Sequence, residues 1–114
     1  EGNGAGIGGG ARLKAGSIII NGGTINASSI GNGAGIGGYD LELIEINGGN
    51  ITATGYDNGS GTGGGAGIGG GGPMMTSCFP ATTAPNIFIS DNANVTAING
   101  GSDAEDIGNG GFSC

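Results

Sequence analysis

Isoleucines in this chain alternate with polar residues over short stretches that end in glycine. Ile18-Ile19-Ile20 is followed by Asn21-Gly22-Gly23 and then by Thr24-Ile25-Asn26-Ala27. A period of two places Ile18, Ile20, Ile25 and Ala27 on one side of an extended backbone, with Ile19, Thr24 and Asn26 on the other. Asn-Gly-Gly supplies residues that tolerate positive φ, so it predicts a corner between two strands. Upstream, Gly4-Ala5-Gly6-Ile7-Gly8-Gly9 adds a third extended segment with one large apolar side chain. One unit is therefore three short strands separated by glycine corners.

The unit recurs. GAGIGG stands at 4–9, 33–38 and 65–70, and a decayed fourth copy reads Glu105-Asp106-Ile107-Gly108. The central isoleucines Ile7, Ile36, Ile68 and Ile107 are 29, 32 and 39 residues apart. Each full copy is followed by a second block. After the block at 18–27 come Ile44-Glu45-Ile46-Asn47-Gly48-Gly49-Asn50-Ile51-Thr52-Ala53 and Ile87-Phe88-Ile89-Ser90-Asp91-Asn92-Ala93-Asn94-Val95-Thr96-Ala97, the latter with one residue inserted at the turn.

Hairpin partners would show complementary patterns. Identical units stack instead, each segment pairing in parallel with its copy in the next unit. The expected fold is all-β, a short parallel β-helix or β-solenoid of three to four coils with about 30 residues each. It forms a single domain over 1–114, with coils at about 4–32, 33–64 and 65–100, a partial coil at 101–114 and an insertion at 71–86. The expected core columns are Ile7/Ile36/Ile68/Ile107, Ile18/Ile44/Ile87, Ile20/Ile46/Ile89, Ile25/Ile51/Val95 and Ala27/Ala53/Ala97. The outward polar face carries Thr24, Asn50 and Asn94 beside Asn26, Thr52 and Thr96.

Composition narrows the function. Thirty-two glycines would ordinarily signal disorder, but fifteen isoleucines can bury enough apolar area to offset the entropy of ordering the chain. Glycine does not recur at every third place, which excludes collagen. With two basic residues, Arg12 and Lys14, and a net charge of −7, the chain lacks the cations that nucleic-acid binding requires. No apolar run is long enough for a membrane helix, and the chain opens on Glu1 rather than on a signal peptide, as a processed product or a piece of something longer would. Histidine is absent and the only thiols are Cys78 and Cys114, a poor set for metal or nucleophile chemistry.

GAGIGGG followed by I-x-I-x-G-G-x-I-x-A resembles the Gly-rich repeats of large bacterial cell-surface and secreted proteins built as β-solenoid stalks or adhesins. The resemblance spans nearly the whole chain and is weakest over 71–86 and 101–114. It implies an extracellular, secreted or cell-surface location and a structural or adhesive role, and it brings no catalytic residues with it.

The insertion at 71–86 holds all three prolines, both methionines and Cys78. It reads either as a binding loop or as a flap over the stack. The even cysteine count and the surface-type repeat favour a Cys78–Cys114 disulfide, which would contribute ~3–4 kcal/mol by restricting the unfolded chain and pin the C-terminal tail. Four Asn-x-Ser/Thr sequons begin at Asn26, Asn50, Asn58 and Asn94, and alternating outward Asn and Thr are enough to generate three of them. Outward Thr ladders also raise ice binding, but Asn interrupts them. Glycan binding would use the same face with Tyr39, Tyr56 or Phe88. The acids Asp57, Asp91, Asp103, Glu105 and Asp106 lack the G-G-x-G-x-D pattern of calcium β-rolls. A polysaccharide-lyase reading needs a basic residue in a groove, and Arg12 and Lys14 fall in a short loop.

The sequence thus predicts a non-enzymatic extracellular module that stacks head-to-tail into filaments or joins neighbouring repeats of a longer chain. The alternative is a glycan- or ice-binding module. No cofactor, metal, nucleic-acid partner or membrane insertion is expected.

Overall fold

The computed structural model describes residues 5–8, 16–29, 31, 33–38, 41–56, 64–71, 85–101 and 104–110. Ten strands run in chain order: β1 Ile7–Gly8, β2 Ser17–Ile20, β3 Thr24–Ser28, β4 Ile36–Gly37, β5 Leu43–Ile46, β6 Gly49–Thr54, β7 Ile68–Gly69, β8 Asn86–Ile89, β9 Ala93–Ile98 and β10 Ile107–Gly108. The described residues contain no helix.

The strands form three sheets. Sheet I is ordered β1-β4-β7-β10, sheet II β2-β5-β8 and sheet III β3-β6-β9. Every pairing is parallel. After each sheet I strand the chain visits sheet II, then sheet III, and returns to sheet I beside the strand it left.

Register follows the sequence repeat residue for residue. Ile7, Ile36, Ile68 and Ile107 are successive partners in sheet I. Ile18, Ile44 and Ile87 align in sheet II, as do Ile20, Ile46 and Ile89. Sheet III aligns Ile25, Ile51 and Val95, and Ala27, Ala53 and Ala97. The residue inserted in the third copy lies in the turn between β8 and β9, where Asn92 N–H donates to Ser90 Oγ (3.2 Å) and Ala93 N–H to the Ser90 carbonyl (3.0 Å). The ladders on either side keep their register.

The core gathers the inward residues of all three sheets: Ile20, Ala27, Ile36, Leu41, Ile44, Ile46, Ile51, Ala53 and Ile68. Ile36, Ile44, Ile46, Ile51 and Ile68 are fully buried, each with a strand on both sides of its own. An isoleucine in such a place contributes roughly 1.5–3 kcal/mol relative to exposure. Ile7, Ile18, Ile25, Ile87 and Val95 pack against this cluster but stay partly buried, because their strands border the stack on one side.

Two expected core positions are corrected. Ile89 is 37% exposed and Ile107 43% exposed. Both lie on the last described strand of their ladders, so among the described residues no strand pairs on their far side. Alternation fixes which way a side chain points; complete burial of an isoleucine goes with a strand on both sides, as at Ile36, Ile44, Ile46, Ile51 and Ile68.

Two glycine columns allow the strands of sheet I to approach so closely. Gly8, Gly37, Gly69 and Gly108 have φ of 133, 131, 135 and 141°, a region L side chains rarely enter. Gly6, Gly35 and Gly67, one residue before each isoleucine, sit against other backbone. A Cβ at Gly35 would lie 2.5 Å from Thr54 N and 2.7 Å from Gly67 O. The GAGIGG motif is thus a packing requirement in which only the isoleucine carries bulk.

Candidate functional site

Two outward faces and the two ends of the stack are the surfaces the described residues offer. On sheet III, Thr24, Asn50 and Asn94 are successive partners, and Asn26, Thr52 and Thr96 form a second column two residues along. All six carry side chains on the face away from the isoleucines; Thr52 is partly buried and the other five are exposed. Each column mixes Thr with Asn, so no unbroken threonine row forms. A third column on this face, Ser28, Thr54 and Ile98, ends in an isoleucine that is 48% exposed.

Sheet II presents a different outer surface. Ile19, Glu45 and Phe88 align, and Ile19 and Phe88 are 56% and 60% exposed. At the adjoining corner Asn47 Nδ2 donates to Asn21 Oδ1 (2.9 Å) and to Glu45 Oε2 (3.2 Å). The amides of the first and second copies thus form a short ladder across the turn. The third copy has Ser90 after its isoleucine, where the earlier copies have Asn21 and Asn47.

At the far end of sheet I, β10 makes contacts the inner strands do not. Ile68 N–H donates to Asp106 O (2.9 Å) and Gly70 N–H to Gly108 O (2.8 Å), continuing the sheet I ladder. Asp106 Oδ1 also accepts from the backbone N–H and from the side-chain Nδ2 of Asn99, both at 2.9 Å. Glu105 Oε2 accepts from the Asn109 N–H (3.3 Å), while Glu105 N–H donates to Asn109 O (3.0 Å). Glu105 and Asp106 are both exposed. The signal that distinguishes them is positional: they occupy columns that hold Ala and Gly in the other copies.

Among the described residues, no group of three or more His, Cys, Asp and Glu is placed to hold a metal ion. No described helix is long and apolar enough to cross a membrane. Cys78, Cys114, Arg12, Lys14, Tyr39, Asp57, Asp103, the sequon at Asn58 and most of the insertion lie outside the described residues. Leu41, a core residue the repeats did not predict, is buried just before β5.

The chain matches no protein-family model, no curated protein and no solved structure.

Proposed function

We propose that the chain is a short β-solenoid acting as a non-enzymatic structural or adhesive module outside the cell, its stack extended head-to-tail by second copies or by further repeats. The observation that carries this reading is the shared register. Three separate ladders repeat the same residues in the same order, so each strand is a template for a further copy of itself. A surface that reproduces its own pattern is suited to extension, and β-augmentation supplies backbone hydrogen bonds as affinity and inward side chains as specificity. Apolar residues at the ends support the same reading. Ile89 and Ile107 are exposed on the last strands, and Ile7, Ile18 and Ile25 are partly buried on the first.

A glycan-binding reading has one observation in its favour. Phe88 stands well exposed beside Glu45, an aromatic platform with a hydrogen-bond acceptor next to it.

The test is to immobilise the purified chain and pass over it the chain itself and a panel of polysaccharides. The structural reading expects retention of the chain. Retention of a polysaccharide that is lost in Phe88→Ala would favour the glycan reading. Release of shortened sugars from any polysaccharide would overturn a non-enzymatic role.

A further inference from the structure

In the first three copies the residues before the sheet I isoleucine are Ala5-Gly6, Ala34-Gly35 and Ala66-Gly67; in the fourth they are Glu105-Asp106. The inner positions have no room for a side chain at the glycine. A Cβ at Gly67 would lie 2.5 Å from Ile98 N and 2.8 Å from Asp106 O. Those atoms belong to the sheet III strand that follows in the chain and to the next sheet I segment. A residue with a Cβ fits this column only where no such neighbours stand beyond it, and among the described residues no strand follows beyond Asp106.

The two carboxylates also take over the bonds that a further round would make. Ser29 N–H donates to Thr54 O (3.1 Å) and Gly55 N–H to Ile98 O (2.8 Å), one strand onward each time. At the equivalent third position, Asn99 N–H donates to Asp106 Oδ1 (2.9 Å). In sheet I, Gly38 N–H donates to Gly69 O (2.9 Å) and Gly70 N–H to Gly108 O (2.8 Å). At the next equivalent position, Asn109 N–H meets Glu105 Oε2 (3.3 Å). Side-chain oxygens thus stand where the carbonyls of another round would be.

We infer that Glu105 and Asp106 make β10 a terminator, an autoinhibitory strand that keeps the first round of a second copy from pairing onto β8 and β9. The inference rests on the head-to-tail reading and specifies what controls it. A second copy is the occupant that fits, because its β2 and β3 have the inward pattern that β5 and β6 already accept in register. Those ladders align four and five residues, whereas sheet I aligns two, so sheets II and III dictate the docking. In that position the second copy's Ser28 backbone would meet the space Asp106 fills, and its β1 would need the place on β7 that β10 holds.

Glu105→Ala/Asp106→Gly restores the small residues of the inner copies and removes both acceptors. Sedimentation of the full chain should show the double variant associating at concentrations at least about tenfold lower than wild type. Glu105→Gln/Asp106→Asn keeps both acceptors without their charge and should associate no more readily than wild type. Gly108→Val weakens the terminator by another route, since its added carbons displace the Glu105 carboxylate from Asn109 N–H and a φ of +141° strains a β-branched residue in β10; it too should associate more readily than wild type. Wild type that associates as readily as the double variant would overturn the terminator and leave the stacking reading standing. Failure of every variant to associate would overturn both. Association of the Gln/Asn variant as strong as that of the Ala/Gly variant would assign the block to charge repulsion and overturn the inference.

Discussion

The most deeply buried isoleucines of this molecule have a strand on both sides of their own, and single substitutions expose the difference. Ile44 and Ile89 both face inward, in neighbouring columns of sheet II. Ile44 is fully buried between two strands and Ile89 is 37% exposed on the last one. Ile44→Ala should cost about 2–5 kcal/mol in urea unfolding. Ile89→Ala should cost less than half as much, and equal losses would contradict the stacking of β8 at an open edge. Glycines divide in the same way. A Cβ at Gly37 would run into the Gly69 carbonyl, and φ there is +131°, whereas a Cβ at Gly22 meets nothing within 4 Å. Gly37→Ala should unfold the chain or cost more than about 3 kcal/mol, while Gly22→Ala should stay within about 1 kcal/mol of wild type, both read by thermal denaturation.

Whole strands depend on the same residues in groups. β10 is held by the sheet I ladder and by the Asp106 carboxylate on Asn99. Asp106→Ala should therefore speed hydrogen exchange of the Ile68 and Gly70 amides by about tenfold, because both bond to β10, while the Ile36 amide, bonded to Gly67 O, stays protected. The ladders were legible in the sequence because each strand type recurs with its alternation intact, and the one-residue insertion falls in a turn that absorbs it. The ends were not legible in the same way. Ile107 has the motif position of Ile36, and only the strand count of sheet I shows that one is open and the other enclosed. Glu105 and Asp106 look like decay when the motif is read as a string. They acquire meaning once the columns show that Gly6, Gly35 and Gly67 exclude a Cβ. Leu41 escaped prediction because the equivalent sequence positions hold only the small Ala15 and Ala84, so no large apolar residue recurs to mark it. The outward face was readable in direction, since Thr24, Asn26 and their partners alternate with buried residues. What that face binds is not encoded by alternation.

At the scale of the molecule, the account makes the chain a stack whose inner rounds are interchangeable and whose last strand is chemically distinct. A net charge of −7 adds repulsion between copies, so association governed by ladder pairing should strengthen with salt, as concentration-dependent light scattering at 50 and 500 mM sodium chloride would show. Association that weakens with salt would point to a charge-driven contact instead. All of these expectations descend from one claim, that each strand pairs in parallel with its copy in the next repeat rather than with its neighbour in sequence. The most direct test is the pattern of backbone nuclear Overhauser effects in the isotopically labelled chain. The account predicts contacts joining the Ile44 backbone to both Ile18 and Ile87, and the Ile36 backbone to both Ile7 and Ile68. Contacts that instead join Ile46 to Gly49 and Ile44 to Ile51 across the Asn47–Gly48 turn, in the alternation of an antiparallel hairpin, would contradict it.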